Sequence, residues 1–237
     1  MNITAILTGK AKSSFKNKNI KKIKNKFIFL YPCIEAKKVK EINKFYTSSD
    51  SNIILNESKK LGYKGIKRPK HLSSPNSKHI DVILHALKNL KKNNIPEIVV
   101  ILLANAPIVK AKWIRDCIKI LKKNKKASAI VPVIQNNDNH PDRSKKIKKK
   151  FLMNFTSYKK NASSNRQDLE PCYFLCHNFW VIRTKEIYKN SGFPPWKFMG
   201  KKVLPYKIKY SIDIHNSLDL EIAKLIIRNE KFSKKYF

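Results

Sequence analysis

The loop after the first apolar stretch carries groups that suit phosphate binding. Residues 3–7 are apolar apart from Thr4, and the loop that follows contains, before the first acidic residue of the chain, Thr8, Gly9, Lys10, Lys18 and Asn19. Ammonium, hydroxyl and amide groups donate hydrogen bonds to phosphate oxygens, and glycine lets the backbone come close to a ligand. The loop therefore fits a triphosphate, although a solvated, lysine-rich turn would have the same composition.

A carboxylate and an imidazole lie close together late in the chain. An alternating apolar pattern predicts a strand that puts Asp213 and His215 on one face. Such a pair can hold a divalent cation, and magnesium in nucleotide sites is held by a carboxylate, phosphate oxygens and water. The alternative is a helix start, in which Asn216 or Ser217 caps the helix and Asp219 complements its dipole. That alternative is favoured for Asp219, whereas Asp213 is the metal candidate.

Other polar groups also follow predicted strands. Residues 47–50 end one strand and can cap the next helix. Arg68 and His79 lie in the connection between a third strand and a long helix, whose amino terminus can face an anion. Arg143 and Arg166 lie in polar loops, where a guanidinium can bind a carboxylate or a phosphate. Because ligands of open α/β sheets bind at the carboxyl ends of strands, the shared location of these groups is the strongest signal.

Several well-known catalytic motifs are absent from the sequence. The chain has no G-x-G-x-x-G fingerprint, no P-loop and no nucleophile elbow. Enzymatic activity must therefore rest on positioning and on charge stabilisation of a phosphate. Cys172, Cys176 and His177 have no zinc-binding spacing and no fourth ligand, so the cysteines are interpreted as reduced and structural.

Strand-like and helical patterns alternate along the chain, which predicts an α/β fold with a mainly parallel sheet covered on both faces. A region at about 136–176 lacks clean periodicity and is interpreted as an inserted arm or subunit-contact element. Strands are predicted at 4–7, 44–47, 98–103, 128–134, 179–182 and 208–214, and helices at 77–92 (capped by Ser77), 112–122 and 217–227.

Composition limits the class of protein. The 237 residues fit a single domain spanning 1–237, and 42% hydrophobic residues support a folded core. The formal charge of +36 suggests nucleic acid as one partner, but the lysines are spread along the chain and only six residues are arginine. A codon bias towards lysine explains the charge better, so nucleic-acid binding is not favoured. No apolar run is long enough to span a bilayer and no secretory signal is evident, so a cytoplasmic location is expected.

The order of several short motifs resembles that of the CMP-sialic acid synthetases (acylneuraminate cytidylyltransferases), and of a variant subgroup among them. The resemblance extends over residues 2–228. It rests on ITAIL at 3–7, KN at 18–19, SSD at 48–50, RP at 68–69, IDVI at 80–83, HAL at 85–87, LL at 102–103, HP at 140–141, RQ at 166–167, GKKV at 200–203 and SIDI at 211–214.

The resemblance implies a fold, a reaction and partners. The family fold is a three-layer α/β/α, Rossmann-like nucleotidyltransferase with a protruding arm that forms a homodimer. The implied reaction transfers CMP from CTP to a nine-carbon, sialic-acid-like (nonulosonic) sugar acid, assisted by Mg²⁺, with release of pyrophosphate. Such an activity would serve surface glycan synthesis.

The resemblance also implies roles for individual residues. Nucleotide binding would involve Thr8, Gly9, Lys10, Lys18, Asn19, Arg68 and His79, and Lys18 and Asp213 would be the catalytic residues. The sugar acid would contact Asn105, Arg166, Gln167 and Asn178, and the metal would be held by Asp213 and His215.

The sequence departs from the family pattern at four places. Gly9 stands where the family has an arginine, so Lys10 is its expected substitute, and a Ser-Lys pair becomes Lys12-Ser13. Asn105 lies where a glutamine helps to hold the sugar, and His215 replaces the second metal-binding aspartate.

Three rival functions follow from these features. One is the same chemistry on the eight-carbon acid 3-deoxy-manno-octulosonate, against which the Arg166-Gln167 match argues. Another is a catalytically impaired nucleotide-sugar-binding homologue, and a third is a basic nucleic-acid-binding protein.

Overall fold

Strands and helices alternate through most of the chain in the computed structural model, which describes residues 1–11, 15, 17–90, 95–156 and 163–229. The Lys12-Ser13 pair lies outside these residues. The elements are β1 (Ile3–Thr8), β2 (Lys22–Ile23), β3 (Lys26–Phe27), α1 (Leu30–Lys37), β4 (Lys44–Ser49), α2 (Asn52–Lys59), β5 (Lys64–Lys67), α3 (His79–Lys88), β6 (Ile98–Leu103), α4 (Ala111–Lys123), β7 (Ala129–Gln135), β8 (Lys145–Lys148), β9 (Phe151–Asn154), β10 (Tyr173–Leu175), β11 (Phe179–Arg183), α5 (Thr184–Lys189), β12 (Val203–Lys207) and α6 (Ser217–Arg228).

The central sheet has the order β10-β7-β11-β6-β1-β4-β5, and β12 pairs with β7. Strands β6, β1, β4 and β5 are parallel neighbours, so their carboxyl ends lie at one edge of the sheet. β11 runs antiparallel to β6 and β7 and therefore begins at that same edge. Loops that are distant in sequence are thereby brought together at this edge.

Apolar residues cover both faces of the sheet. In β6 the buried side chains alternate, with Val100 and Leu102 in one core cluster and Val99 and Ile101 in the other. The first cluster includes residues of α1, α2, α4 and α6, and the second includes residues of α3 and α5. The three-layer α/β/α arrangement with a mainly parallel sheet is confirmed, and β6 is a central strand with the predicted bounds, buried except at Leu103.

Two of the predicted helices are confirmed and one begins later than expected. α4 and α6 lie where amphipathic periodicity places them. Ser77 does not cap α3, because its hydroxyl donates to the Ser74 carbonyl at 2.7 Å and the helix begins at His79. α3 ends at Lys88, and the last part of the predicted helix lies outside the described residues.

The predicted strand at 208–214 is wrong, because the strand in this part of the chain is β12, which precedes it. Residues 208–215 form no strand and the chain bends at Lys209, although Ile208 still donates to the Val133 carbonyl at 2.9 Å. Ile212 and Ile214 are buried in the core. The alternating pattern therefore reflects which side chains of this irregular segment pack on the core, and it needs no neighbouring strand.

Residues 136–156 leave the central sheet and include a hairpin formed by β8 and β9; we call this segment the arm. β8 and β9 pair only with each other among the described residues, with Ile147 opposite Leu152. β10 then returns the chain to the sheet beside β7. No helix in the described part of the chain is both long enough and apolar enough to cross a bilayer.

Candidate active site

A cleft of about 180 Å³ lies at the carboxyl edge of the central sheet. We call it the edge cleft. The ends of β1, β5 and β6 supply most of its lining, and α3 contributes its first residue. Its walls are formed by Thr8, Gly9, Lys10, Lys18, Asn19, Arg68, His79, Leu103 and Asn105. All seven residues assigned to nucleotide binding thus line one cleft, together with one of the four assigned to the sugar acid.

The described part of the first loop is held by the end of β4 and by Asn19. The Gly9 amide donates to the Ser48 carbonyl at 3.2 Å, and the Ala11 amide donates to Asp50 Oδ1 at 2.8 Å. Asn19 Nδ2 donates to the Lys10 carbonyl at 2.8 Å. Residues 9–11 are therefore fixed by three hydrogen bonds before any ligand binds.

Gly9 lies where the chain tolerates no side chain. A Cβ atom built on Gly9 would lie 2.7 Å from Ala104 Cβ, which is closer than real Cβ contacts. Ala104 cannot move away easily, because its amide donates to the Thr8 carbonyl at 3.1 Å. The packing around Gly9 thus leaves no room for a longer side chain at this position, and Lys10 is the first residue of the loop that can present a cation.

Arg68 is a nearly buried cation with a fixed orientation. Its side chain is 5% exposed, and Nη2 donates to the Ser48 carbonyl at 2.7 Å while Nε lies 3.4 Å from Ser48 Oγ. Burial lowers the pKa of Arg68 to about 10, with the Asp50 charge opposing that shift. The guanidinium therefore stays charged at neutral pH. It lines the edge cleft as a hydrogen-bond donor whose orientation is already fixed.

His79 is a neutral group in the same wall. Its Nε2 lies 3.0 Å from Thr8 Oγ1, and that hydroxyl donates to the Leu102 carbonyl at 3.3 Å, so the imidazole is assigned as the donor from Nε2. Burial, then the Arg68 and His177 charges, lower the pKa of His79 to about 4. It can donate or accept a hydrogen bond without adding charge.

The charges of Lys18 and Asp213 affect each other's pKa. Burial lowers the pKa of Lys18 below its ordinary value; the Asp213 charge opposes this shift and the Lys10 charge adds to it. Asp213 does not line the edge cleft itself. It adjoins the cleft because the next residue, Ile214, donates its amide to the Asn105 carbonyl at 3.0 Å.

The Asp213 carboxylate has one bonded oxygen and one buried oxygen without a partner. Oδ2 lies 3.3 Å from His215 Nε2, whereas Oδ1 is buried and has no hydrogen-bond partner among the described residues. Burial raises the pKa of Asp213, with the His177 and His215 charges opposing the shift. An oxygen of this kind is suited to a cation or a donor supplied by a ligand.

Asp219 has the capping role favoured from the sequence. Asn216 Oδ1 accepts from the Asp219 amide at 2.9 Å, and Asp219 Oδ2 accepts from the Asn216 and His215 amides at 3.1 and 2.7 Å. This capping box fixes the start of α6. In the described ranges no group of three or more His, Cys, Asp or Glu side chains could hold a metal ion.

A second hollow, of about 700 Å³, lies where β7 ends and the arm begins. We call it the arm hollow. It is lined by Gln135, Asn136, Asn137, Asp138, Arg166, Gln167, Leu169 and Pro171. Arg166 and Gln167 thus lie here, apart from Asn105 in the edge cleft.

The fourth residue assigned to the sugar acid, Asn178, is fully buried and lines neither hollow. Its Oδ1 accepts from the Phe179 amide at 2.9 Å, and its carbonyl accepts from Leu103 at 3.3 Å. Asn178 therefore lies in the interior, next to Leu103 of the cleft wall.

Two acidic residues at these hollows were not singled out from the sequence. The sequence places Asp50 in a segment that can cap a helix and in the SSD motif at 48–50, but Ser51 caps α2 and Asp50 binds the first loop. Asp138 pairs with Arg166 at 3.1 Å and with Arg143 at 3.6 Å. The scarcity of acidic residues in a chain with 52 basic ones is the signal that would have singled them out.

Comparison with known proteins gives a consistent result. The family model described as cytidylyltransferase matches residues 10–188, about three quarters of the chain. Two solved structures have the same fold at low identity. One is a CMP:2-keto-3-deoxy-manno-octonic acid synthetase complexed with CTP, at 9% identity and a TM-score of 0.71, covering 96% of this chain and 99% of that one. The other is a 4-diphosphocytidyl-2C-methyl-D-erythritol synthase from Anaerococcus prevotii, at 15% identity and a TM-score of 0.67, covering 96% of each chain. On the family match, the chain belongs to the cytidylyltransferase family.

Proposed function

We propose that this protein transfers CMP from CTP to a sialic-acid-like, nine-carbon 2-keto sugar acid and releases pyrophosphate, supplying an activated sugar for surface glycans. The observation that carries the proposal is the edge cleft. It gathers three cationic side chains, Lys10, Lys18 and Arg68, at the carboxyl edge of the sheet of a cytidylyltransferase. Triphosphate oxygens are the ligands that such a set of donors suits best.

The reaction needs no protein nucleophile. The anomeric hydroxyl of the sugar acid loses its proton to solvent as its oxygen attacks the α-phosphorus of CTP. A new P–O bond forms, and the bond to the β-phosphate breaks as pyrophosphate leaves. The chain supplies position and positive charge where negative charge develops on phosphate oxygens. Arg68 is held by Ser48 before the ligand arrives, which reduces the reorganisation needed on binding.

Lys18 is a cation of the cleft whose charged form a bound triphosphate would stabilise. Burial lowers its pKa in the free protein. A bound triphosphate brings negative charge and therefore shifts the pKa of Lys18 back up, because opposite charges stabilise the ammonium form. Binding of the nucleotide thus favours the ammonium form of Lys18.

Mg²⁺ is the cofactor that we propose for this site, with Asp213 as its ligand. The fit rests on Asp213 Oδ1, which is buried and lacks a hydrogen-bond partner among the described residues. One carboxylate is compatible with a nucleotide-bound Mg²⁺, which draws its other ligands from phosphates and water. When bound, the ion supplies charge neutralisation on phosphate oxygens. His215 fits the role of ligand less well, because its Nε2 already faces Asp213 Oδ2 and Mg²⁺ prefers oxygen.

The sugar acid is proposed to extend from the edge cleft towards the arm hollow. Asn105 lines the first, and Arg166 and Gln167 line the second. A guanidinium matches the geometry of a carboxylate, and a side-chain amide can serve either the carboxylate or a hydroxyl group. The substrate carboxylate would therefore face Arg166.

An eight-carbon acceptor is the main alternative. The solved structure with a TM-score of 0.71 is a synthetase whose name specifies 2-keto-3-deoxy-manno-octonic acid, and its fold covers nearly the whole chain. The acceptors share a 2-keto acid group, so Arg166 suits either. Gln167 beside Arg166 is the feature on which we base the preference for the nine-carbon acid.

A homodimer is proposed on the basis of the arm. Its hairpin exposes Ile147 (75%), Phe151 (63%) and Leu152 (73%) to solvent in the isolated chain. Large apolar side chains clustered on a protruding hairpin are typical of a protein-contact surface. We propose that a second copy of the chain covers them.

Pyrophosphate release tests the proposed function. The purified chain is incubated with Mg²⁺, each of the four nucleoside triphosphates, and a panel of eight- and nine-carbon 2-keto sugar acids. The expected result is release with CTP and a nine-carbon acid, in amounts matching the CMP-sugar formed. Release only with eight-carbon acids would establish the alternative, and CTP binding without release from any acid would indicate a catalytically impaired homologue.

A further inference from the structure

We propose that Asp50 is a positioning residue that holds the first loop in its triphosphate-binding conformation, a proposal that rests on the proposed function of the edge cleft. Asp50 is not among the residues that line the cleft. It lies behind the loop at the turn between β4 and α2, and its carboxylate accepts from the Ala11 amide at 2.8 Å. The contact joins residues that are 39 positions apart.

The turn that carries Asp50 is itself fixed on several sides. Lys67 Nζ donates to the Asp50 carbonyl at 3.0 Å and to Asn52 Oδ1 at 2.6 Å. The Ser51 amide donates to Ser49 Oγ at 3.0 Å, and Ser51 Oγ accepts from the Ile54 amide. The Asp50 carboxylate therefore extends from a turn at the end of β4 that these hydrogen bonds hold in place.

The same segment, residues 48–50, also orients Arg68, the buried cation of the cleft. The Ser48 carbonyl accepts from both the Gly9 amide and Arg68 Nη2, and the Arg68 amide donates to the Ser49 carbonyl at 2.9 Å. The Asp50 charge also favours the charged form of Arg68. One short segment, residues 48–50, thus sets the positions of loop residues 9–11 and of Arg68 together.

A negative charge at this place needs a structural reason. A carboxylate near a triphosphate site repels the ligand, so its presence would weaken binding if it had no other effect. It is not required as a helix cap, because Ser51 caps α2. What the carboxylate provides is a charge-assisted acceptor for a backbone amide of the loop, which is stronger than a neutral acceptor.

Two substitutions separate the geometric role from simple charge. Asp50→Asn keeps an oxygen that can accept from the Ala11 amide but removes the charge, whereas Asp50→Ala removes both. We expect Asp50→Ala to raise the KM for CTP about tenfold with a smaller change in kcat, and Asp50→Asn to recover most of that loss. Glu57→Gln, which removes one negative charge from the adjoining helix α2, is the matched control and should leave KM unchanged.

A second measurement does not depend on turnover. Hydrogen exchange of the Ala11 amide in the free protein should be slow in the unsubstituted chain and in Asp50→Asn, and at least about tenfold faster in Asp50→Ala. If the Ala11 amide exchanges equally in all three proteins, the positioning role is overturned even where CTP turnover stands. If both Asp50 variants bind CTP more tightly than the parent, the carboxylate acts only by repulsion, and the inference is also overturned. Absence of turnover in the unsubstituted chain would count against the proposed function, while the exchange result would still decide whether Asp50 fixes the loop.

Discussion

The carboxylate of Asp138 lies 3.1 Å from the Arg166 guanidinium, Oδ2 to Nη1, inside the arm hollow. A substrate carboxylate that binds Arg166 must therefore compete with an acidic group that the chain itself supplies. Both side chains are more than half exposed, and exposed pairs of this kind contribute little to stability. The contact thus holds Arg166 weakly enough for a ligand to displace Asp138.

Replacing Asp138 should improve the use of the sugar acid. Asp138→Asn removes the competing charge, and we expect the KM for the sugar acid to fall about two- to fivefold while the KM for CTP is unchanged. Asp168→Asn, in the same short helical turn as Arg166, is the control for loss of a negative charge. The measurement is initial rate against sugar-acid concentration at saturating CTP. An equal fall in both variants would assign the effect to general charge and not to the Asp138–Arg166 pair.

Gly9 is expected to be the least replaceable residue of the loop. Gly9→Ala places a Cβ atom 2.7 Å from Ala104 Cβ, so either β1 or the loop after β6 must shift. We expect a loss of roughly 1–3 kcal/mol in the free energy of unfolding, as for overpacking at other tight sites, and a several-fold higher KM for CTP. Urea unfolding and steady-state kinetics measure the two effects. Gly65→Ala, where the nearest atom to a new Cβ is at 3.4 Å, is the matched control, and equal losses at both positions would contradict the steric argument.

His79 should make the protein less stable in mild acid. Burial lowers its pKa to about 4, whereas a histidine in an unfolded chain titrates near 6.5. Between these values the unfolded state binds more protons, so stability is fully present above pH 6.5 and is lost as the pH falls towards 4. One such group contributes a slope of at most about 1.4 kcal/mol per pH unit.

His79→Gln should therefore reduce the dependence of the unfolding free energy on pH between 6.5 and 4.5. Part of the dependence should remain, since burial also lowers the pKa of His177. Denaturant unfolding at half-unit pH steps measures the slope. His71→Gln, at an exposed position before α3, controls for the loss of a histidine as such. A slope identical to that of the parent in His79→Gln would show that the His79 ring is solvated.

Some parts of this fold follow from local pattern and others depend on the register of the sheet. β6 was predictable because a strand buried on both faces needs an uninterrupted apolar run. Residues 208–214 do not form the predicted strand, because alternation reports only which side chains are buried. Ile208, Ile212 and Ile214 are buried here in a segment that pairs with no strand. Ser77 was misassigned as a cap because its hydroxyl has a competing local acceptor at Ser74.

The same distinction applies to the site. The residues of the edge cleft were predictable as a group, because parallel strands bring their carboxyl ends to one edge. The contact from Asp50 to Ala11 was not, because it requires the pairing of Thr8 with Ser48 across β1 and β4. Sequence spacing also gave no indication that Asp138 would lie against Arg166, 28 positions away.

Asp213 should be needed for catalysis more than for nucleotide binding. Asp213→Asn keeps the shape of the side chain but removes the charge that would hold Mg²⁺, and we expect kcat to fall at least about 100-fold. His215→Asn should have a smaller effect, because its backbone amide still bonds to Asp219. Calorimetric titration with CTP in the absence of metal should give similar affinities for both variants and the parent. A rate for Asp213→Asn within a few fold of the parent would remove Asp213 from the metal site.

The arm hairpin should control association of two chains. Ile147 and Leu152 are paired across β8 and β9 and are each exposed by more than 70% in the isolated chain. If a second copy covers them, replacing both by serine removes about 1.5–3 kcal/mol per side chain, or about 6 kcal/mol or more over the four side chains of the dimer, and the dimer should dissociate at least about 10⁴-fold more readily. Sedimentation equilibrium over a range of protein concentrations measures the association.

Leu225→Ser, on an exposed face of α6 with a similar exposure of 69%, is the control and should leave the dimer intact. A parent chain that sediments as a monomer at all concentrations would contradict the dimer, whereas a dimer unaffected by the double substitution would place its interface elsewhere.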